Sequence, residues 1–295
     1  MDFVLTLVAS GKTLTTAHLA VLTRYLDSQG ISLSGEPRWL AQHKAADLYT
    51  ATRPNFAQMQ AMREALMTDR IDILVNRTRG RKKKLLLADM DSTIIQNETL
   101  DELAAKIGKR EECAVITART MRGDLDLHAA IRERVALLRG LSADVLRQVL
   151  DDLSYTPGAE TLVRGMRQHG ALCVLASSGF TCFTGDVAAR LGFAQHHGNT
   201  LEIENGILTG TVAEPILDKN SKLSFLRYYM EELGLEAGDV MAIGDGSNDL
   251  LMLEAAGLGI GFHPKPILAE RLDNLILHGD LTTALYAQGL VPNRH

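Results

Sequence analysis

Two aspartates stand two positions apart in the stretch ADMDSTIIQNE, at Asp89 and Asp91. Asp89 directly follows the apolar run LLLA, which places the pair where a buried strand ends. Two neighbouring carboxylates can divide a reaction between them, because one can attack as a nucleophile while the other moves protons. The ordinary alternative is an Asx turn, in which the side chains only bond nearby backbone amides.

Two further polar clusters follow other apolar runs. SSGF at residues 177–180 follows ALCVLA, and GDGSND at residues 244–249 follows VMAI. Taken singly, the serines could cap the next helix, and the second cluster could be a glycine turn with polar filler. Because ligands of an open α/β sheet lie at the carboxyl ends of its strands, clusters that each follow a strand are expected to converge there.

The converging carboxylates require a positive charge. Four aspartates would repel one another at one edge of a sheet: Asp89, Asp91, Asp245 and Asp249. Mg²⁺ takes hard oxygen ligands and commonly bridges to a substrate phosphate, so the pattern predicts a Mg²⁺ site that serves a phosphate ester. Lys222, near the start of the helical pattern SKLSFLRYYMEEL, is the candidate cation for the phosphate oxygens. The alternative for Lys222 is an exposed helix lysine.

The elements that must position these residues show an α/β rhythm. From residue 84 to 295, apolar strands alternate with helical patterns, which predicts a doubly wound parallel sheet. Residues from about 99 to 155 show only helical periodicity and are expected to form an all-helical cap insert. Residues 1–78 contain two strand patterns and two helical patterns, which predict a small amino-terminal α+β domain.

Local signals set three further expectations. Thr99 with Glu102 predicts a capping box at the start of the insert. Thr156 is expected to cap the helix that follows the insert. Asn205-Gly206, between LEIE and ILTG, predicts a hairpin turn.

Composition narrows the function classes. A chain of 295 residues with 46% hydrophobic residues can bury a full core and form two domains. The net charge of -5 gives no global attraction for nucleic acid, and the basic run RGRKKK at residues 79–84 is interpreted as a solvated linker. The three cysteines match no zinc pattern and are too few for a disulfide framework. Without a long apolar run or a basic export segment, the chain is expected to be cytoplasmic with no membrane partner.

DMDST, SSGF, Lys222 and GDGSND, in this order, resemble the motifs of the haloacid dehalogenase (HAD) superfamily of phosphatases. The DxDx(T/V) and GDxxxD patterns are specific, and the likeness covers residues from about 84 to 275. DMDSTIIQNETLDELA, IRERVALLRGL and AIGDGSNDLLMLEAAGLGIGF are similar to the phosphoserine phosphatase family within it. The amino-terminal unit resembles a degenerate ACT-like domain. The resemblance implies a HAD-like Rossmannoid core that hydrolyses phosphoserine in serine biosynthesis.

The resemblance also implies a role for each motif residue. Asp89 would attack phosphorus to form an aspartyl-phosphate, while Asp91 would protonate the leaving oxygen and then activate water. The implied metal is Mg²⁺, held by the Asp89 carboxylate, the Asp91 backbone carbonyl and Asp245, with Asp249 in support. The implied phosphate-binding groups are Ser177, Lys222, Asn248 and the backbone amides of Ser178 and Gly179.

The implied substrate contacts lie mainly in the helical insert. Glu98 suits the ammonium of phosphoserine, and Arg134 offers a planar fork that pairs with a carboxylate. Met121 matches an apolar contact of the family, whereas Leu127 stands where the family has a phenylalanine. Ser178 stands where the family usually has glycine, but its backbone amide remains.

Two other functions stay open on the sequence alone. A relative in the same superfamily could act on another small phosphorylated metabolite. A regulatory binding protein with an inactive phosphatase body is the second alternative, and the intact Asp89 and Asp91 argue against it. The expected partner is a small-molecule substrate, and a homodimer is left open. Because every motif lies beyond residue 84, a chain that begins near Arg79 is expected to keep its chemistry.

Overall fold

The computed structural model describes residues 2–121 and 124–292, with the side chain of Met121 outside the described part. The elements of the amino-terminal unit are β1 (Phe3–Ala9), α1 (Thr16–Ser28), β2 (Arg38–Ala41), β3 (Ala45–Thr50), α2 (Phe56–Leu66) and β4 (Ile71–Arg77). Its strands form one antiparallel sheet in the order β2-β3-β1-β4. Leu19, Leu22 and Leu26 are the buried residues of α1, as their helical spacing predicts. The pair β2 and β3 was not predicted.

Further strands follow residue 84. They are β5 (Leu85–Ala88), β6 (Leu172–Phe180), β7 (Gln195–Asn199), β8 (Leu201–Glu204), β9 (Ile207–Val212), β10 (Val240–Gly244), β11 (Leu258–Phe262) and β12 (Leu275–Ile276). Six of them form a parallel sheet in the order β12-β11-β10-β5-β6-β7. β5 is buried throughout and lies inside the sheet, as its wholly apolar sequence predicts. The predicted α/β class with a parallel sheet is therefore confirmed.

Helices flank this sheet and fill the insert. They are α3 (Thr99–Lys106), α4 (Arg110–Met121), α5 (Leu127–Ala136), α6 (Asp144–Asp151), α7 (Ala159–Gln168), α8 (Thr181–Leu191), α9 (Lys219–Leu233), α10 (Leu250–Ala255), α11 (Pro266–Ala269) and α12 (Thr283–Tyr286). The insert comprises α3 to α6, and a bridge between Ile95 and Tyr155 brings its two ends together. No helix in the described ranges is long and apolar enough to cross a membrane.

The predicted hairpin turn is confirmed between β8 and β9. Asn205 and Gly206 have φ angles of 50° and 77°, the left-handed values that a two-residue turn of this kind requires. The hairpin also supports the insert, because the Gly206 carbonyl accepts a hydrogen bond from the Ala143 amide at 2.8 Å.

Two predicted helix caps are wrong. The Thr99 hydroxyl has no hydrogen-bond partner among the described residues, so Thr99 and Glu102 form no capping box. The Asp91 carboxylate instead accepts from the Thr99 amide at 2.7 Å, so a distant residue satisfies the helix start. The later helix begins at Ala159, after Gly158, and no side chain caps it. Thr156 lies in the preceding turn, where its carbonyl accepts from the Ala159 amide at 3.0 Å.

The basic run at residues 79–84 joins the two units through buried contacts. The Arg81 guanidinium lies 2.7 Å from each oxygen of Asp47, whose side chain is completely buried in the amino-terminal unit. The Lys83 ammonium donates to two backbone carbonyls, and burial lowers the pKa of Lys83 to about 8. The interpretation of the run as a solvated linker is wrong for these two residues, because their charged groups have partners inside the protein.

Arg81→Ala is expected to destabilise the fold by about 3 to 5 kcal/mol, because it leaves the buried Asp47 carboxylate without its cation. Urea unfolding should show this loss in the free energy of unfolding. Arg79→Ala is the matched control, since Arg79 is exposed, and it should change stability by less than about 0.5 kcal/mol. Equal effects of the two substitutions would contradict the contact. A chain that begins near Arg79 lacks Asp47, so it is expected to be less stable than the full chain.

Candidate active site

The carboxyl ends of β5, β6 and β10 meet at a cavity of about 110 Å³. Asp89 directly follows β5 and Asp245 directly follows β10. The insert closes the cavity with Leu100 and Leu127. The predicted site residues that line it are Asp89, Asp91, Glu98, Arg134, Ser177, Ser178, Gly179, Asp245 and Asn248. The structure therefore brings together polar clusters that are far apart in the sequence.

Lys222 bridges two buried carboxylates beside this cavity. Its Nζ lies 2.5 Å from Asp89 Oδ1 and 2.5 Å from Asp249 Oδ1, and its side chain is 2% exposed. Lys222 lies near the start of α9 because Asp218 caps that helix, accepting from the Ser221 amide at 3.0 Å. The alternative of an exposed helix lysine is therefore wrong.

The buried ion network is short of positive charge. Burial and the Asp249 carboxylate raise the pKa of Asp89 well above its ordinary value, although Lys222 opposes this. Burial also raises the pKa of Asp245, while the nearby Lys265 ammonium acts to lower it. For Lys222, burial lowers the pKa, but Asp249 and Asp89 outweigh it and raise the pKa above its ordinary value. These shifts favour the charged form of Lys222 and disfavour the charged forms of Asp89 and Asp245, so a further cation beside the two carboxylates would stabilise them.

Asp249 organises the turn that carries Asp245. Its Oδ2 accepts from the amides of Asp245 and Gly246 at 3.1 and 3.0 Å, while its Oδ1 pairs with Lys222. A Cβ at Gly244 would lie 2.4 Å from the Asp249 carboxyl carbon, so only glycine permits this packing. With both oxygens engaged, Asp249 is placed to support the site.

Asp91 is held from two sides. Ser177 donates to its Oδ2 at 2.9 Å, and the Thr99 amide donates to its Oδ1 at 2.7 Å. The Gly179 amide in turn donates to the Ser177 hydroxyl at 2.7 Å. A Cβ at Gly179 would lie 3.0 Å from Asp91 Oδ2, so the small residue allows the close approach. These contacts orient the Asp91 carboxylate at the cavity wall.

Lys265 is a site residue that the sequence analysis missed. Its Nζ lies 3.0 Å from Asp245 Oδ2 and 3.8 Å from Glu98 Oε1, and it lines the cavity. Glu98 also accepts from the Ser92 hydroxyl at 2.7 Å. Burial and the Asp91 charge raise the pKa of Glu98 above its ordinary value. Its position in the sequence could have identified it, because Lys265 lies three residues after the carboxyl end of the strand β11.

Asn199 is a second residue that the sequence analysis missed. Its Nδ2 donates to the Ser178 carbonyl at 2.7 Å, and its Oδ1 accepts from the Leu217 amide at 2.8 Å. Asn199 is buried at the end of β7 and ties the SSGF segment to the chain that leads into α9. The polar sequence QHHGN gave no strand pattern from which this role could be predicted.

The insert supplies one charged group and an apolar wall. Arg134 lies on α5 and lines the cavity, and its buried Nε has no hydrogen-bond partner among the described residues. Its Nη1 lies 3.5 Å from the Thr117 hydroxyl. Leu127 and Ile131, on the same helix, also line the cavity, so Leu127 forms part of the apolar wall. Met121, the predicted apolar contact, has its side chain outside the described residues.

The donor set fits a hard divalent cation. Carboxylate oxygens of Asp89, Asp245 and Asp249 lie within 4.8 Å of one another, and all three residues are buried. Asp249 already receives Lys222 and two backbone amides. In the described contacts, Asp89 and Asp245 each keep one carboxylate oxygen outside the lysine pairs. An all-oxygen site of this kind suits Mg²⁺.

Comparisons with known proteins agree with this geometry. The haloacid dehalogenase-like hydrolase family profile matches residues 86–254. A probable phosphoserine phosphatase of Schizosaccharomyces pombe is 42% identical over 227 residues, which are 76% of this chain and 76% of that protein. This chain spans from 51% to 62% of three further relatives named phosphoserine phosphatase.

Solved structures extend the likeness to both units. A HAD family hydrolase of Salmonella enterica serovar Typhi is 26% identical with a TM-score of 0.86, covering 97% of this chain and 98% of that one. A substrate-bound phosphoserine phosphatase is 36% identical with a TM-score of 0.65, covering 70% of this chain and 98% of that one. The first match spans nearly the whole chain and therefore includes the amino-terminal unit.

Proposed function

This chain belongs to the haloacid dehalogenase-like hydrolase family, and we propose that it hydrolyses O-phospho-L-serine to L-serine and phosphate. One observation carries the proposal. One small cavity is lined both by the pair Asp89 and Asp91 and by two side chains of opposite charge, Glu98 and Arg134. Phosphoserine needs such a set, because it carries an ammonium and a carboxylate beside its phosphate. Phosphate release from a panel of phosphorylated metabolites tests the proposal.

Asp89 is proposed as the nucleophile. It is buried, lines the cavity and is oriented by Lys222. Its carboxylate oxygen would form a bond to phosphorus as the bond from phosphorus to the serine oxygen breaks. The aspartyl-phosphate would then be cleaved by water, which releases phosphate and restores the carboxylate. The reaction is thereby divided into two easier displacements.

Asp91 is proposed as the general acid and base. The Ser177 hydroxyl and the Thr99 amide hold its carboxylate beside the cavity that Asp89 also lines. In the first step Asp91 would give a proton to the leaving serine oxygen. In the second step it would take a proton from the attacking water. The same group can serve both steps because the first leaves it ionised.

The phosphate is proposed to lie among positioned donors. The amides of Ser178 and Gly179 precede α8, where backbone donors and the helix dipole favour an anion. The Gly179 amide now donates to the Ser177 hydroxyl, and that hydroxyl donates to Asp91, so both would exchange these partners for phosphate oxygens on binding. Lys222 and the side chains of Ser177 and Asn248 are the other proposed donors. Donors placed before the reaction stabilise the charge that develops on the phosphoryl oxygens.

Mg²⁺ is the proposed cofactor. Asp89, Asp245 and the Asp91 backbone carbonyl would hold it, and Asp249 would support them through the turn it organises. When bound, Mg²⁺ supplies positive charge that balances the carboxylates and the phosphoryl oxygens. The raised pKa of Asp89, caused by burial and by Asp249, supports the need for that charge.

Substrate choice is proposed to depend on Arg134 and Glu98. The buried Nε of Arg134, which has no hydrogen-bond partner in the part of the chain that the structure describes, would donate to the substrate carboxylate, and Glu98 would pair with the ammonium. A site built around charged partners rejects a substrate that lacks one, because its own group is then left unpaired.

Arg134→Lys is expected to lower kcat/KM for phosphoserine roughly 10- to 100-fold, since a charge-assisted bond of this kind is worth about 1.5 to 3 kcal/mol. Lysine keeps the charge but loses the planar fork. Arg132→Lys is the matched control, because Arg132 lies on the same helix with an exposed side chain paired to Glu214. Equal activity of both variants would show that Arg134 does not contact the substrate.

Glu98→Gln is expected to shrink the preference for phosphoserine over phospholactate, which lacks the ammonium. Arg134→Ala should instead shrink the preference over phosphoethanolamine, which lacks the carboxylate. Ratios of kcat/KM on the three compounds measure both effects. Equal losses on every compound would mean that these residues support the insert and do not contact the substrate. The protein would then be a small-molecule phosphatase that acts on another substrate.

A further inference from the structure

A carboxylate of the amino-terminal unit holds a loop of the second unit. Asp72, on β4, is 2% exposed. Its Oδ1 accepts from the amides of Leu277 and His278 at 2.8 and 3.1 Å, and its Oδ2 accepts from the Gly279 amide at 2.7 Å. Three consecutive backbone donors converge on one buried carboxylate, so the loop at residues 277–279 depends on Asp72 for its conformation.

The loop is shaped for this contact. A Cβ at Gly279 would lie 2.3 Å from the Thr283 hydroxyl, 2.9 Å from Asp72 Oδ2 and 3.0 Å from the Ser10 hydroxyl. Only glycine leaves room for the carboxylate to reach the loop. The same loop lines a cavity of about 680 Å³ that Asp245 also lines, so it borders the proposed metal site.

His263 connects this loop to the segment that follows β11. Its Nε2 donates to the Gly279 carbonyl at 2.9 Å, and its amide donates to the Ile276 carbonyl at 2.8 Å. Its φ angle of 39° lies in the left-handed region, which a non-glycine residue adopts only where its surroundings hold it. The segment that follows β11 is therefore tied to the loop that Asp72 holds.

Lys265 completes the connection to the proposed metal carboxylate. Two residues after His263, its amide donates to the Asp245 carbonyl at 2.9 Å, and its Nζ lies 3.0 Å from Asp245 Oδ2. Lys265 thus contacts both the backbone and the side chain of Asp245. A continuous series of contacts runs from Asp72 through the loop, His263 and Lys265 to Asp245.

We propose that Asp72 is a positioning residue of the active site, through which the amino-terminal unit fixes Asp245 for metal binding. The inference rests on the proposed function only in that Asp245 serves there as a ligand of Mg²⁺. Residues that orient metal ligands through intermediate hydrogen bonds commonly change metal affinity when they are replaced. The amino-terminal unit then contributes to the chemistry without entering the cavity.

Asp47 provides a matched control. It is also a buried carboxylate of the amino-terminal unit, and it also anchors the second unit, through Arg81. The connection from Asp47 leads to Arg81 and the Tyr286 carbonyl rather than to the loop beside Asp245. Asp47→Asn and Asp72→Asn should both lower the unfolding temperature, but only Asp72→Asn should disturb the metal site.

Hydrogen exchange of the full chain without substrate gives the first readout. Asp72→Asn should speed exchange in peptides that contain residues 276–280 and residues 263–265, and Asp47→Asn should not. The Lys265 amide is the informative probe, since its acceptor is the Asp245 carbonyl. Unchanged exchange at residues 263–265, or the same acceleration in both variants, would overturn the inference.

Calorimetric titration with Mg²⁺ gives the second readout and needs no turnover. The dissociation constant should rise roughly 10-fold in Asp72→Asn and stay within about twofold of wild type in Asp47→Asn.

If Asp72→Asn does not fold, His263→Asn replaces it as the test variant, because asparagine tolerates the left-handed backbone but is too short to reach Gly279. The double variant Asp72→Asn/His263→Asn should bind Mg²⁺ no more weakly than the weaker of the two single variants, since both substitutions break the same series of contacts. Unchanged affinity in the single variants, or additive losses, would overturn the inference, whereas failure of phosphoserine hydrolysis alone would not.

Discussion

Replacing Asp89 by asparagine is expected to reduce phosphate release from phosphoserine below detection, because the amide cannot form the aspartyl-phosphate. Asparagine has nearly the shape of aspartate, so the variant should fold, and its unfolding temperature checks this. Lys222 keeps Asp249 as a partner in the variant. The loss should therefore appear in kcat on a folded protein.

Asp91→Asn provides the comparison for this result. It should lower turnover roughly 10²- to 10⁴-fold, because it removes proton transfer but leaves the nucleophile in place. Ser177 and the Thr99 amide still surround the side chain, so the structure should be retained. Near wild-type activity in Asp89→Asn, or covalent phosphate trapped on any other residue, would contradict the assignment of Asp89.

Removal of divalent cations is the second change with a large expected effect. Chelation should stop turnover and added Mg²⁺ should restore it, because Asp89, Asp245 and Asp249 otherwise crowd negative charge around the phosphate. Asp245→Ala should lower turnover on the order of 10²-fold or more at ordinary Mg²⁺, since one preorganised electrostatic group is worth about that much. Titration of activity against Mg²⁺ measures both effects.

An exposed carboxylate serves as the control for this experiment. Asp152 pairs with Lys106 and its side chain is 61% exposed, so Asp152→Ala should keep the activity and Mg²⁺ dependence of the wild type. Full activity in chelator would overturn the proposed cofactor. Unchanged activity of Asp245→Ala at ordinary Mg²⁺ would overturn its place in the metal site.

The sequence was sufficient where short-range patterns determine position. Apolar runs of strand length predicted β5, β6 and β10, and the rule for parallel strands then placed Asp89, Ser177 and Asp245 at one edge. Lys222 was chosen because the phosphate oxygens need a positive group, and the structure places it between Asp89 and Asp249. The geometry adds distances and burial to these predictions, while the catalytic roles and the ACT-like nature of the first unit stay predictions.

The sequence was insufficient where a residue depends on a distant partner. Arg81 looked like part of a solvated linker because its partner, Asp47, lies in a strand that the periodicity did not reveal. The Thr99 side chain was predicted to cap α3, but the Asp91 carboxylate, eight residues earlier in the chain, accepts the hydrogen bond from the first amide of that helix. Lys265 reaches Asp245 only because β11 lies beside β10 in the sheet. Such contacts follow from the order of strands and the paths of loops, which local patterns do not encode.

Release of phosphate from phosphoserine, with Mg²⁺ and with chelator, tests the central claim most directly. The same assay on phosphoethanolamine, phospholactate and 3-phosphoglycerate reports the choice of substrate. We predict the highest kcat/KM for phosphoserine, complete dependence on Mg²⁺, and a loss on each analogue that lacks the ammonium or the carboxylate. Phosphoserine left intact while another phosphorylated metabolite is hydrolysed, or equal release with and without Mg²⁺, would contradict the account.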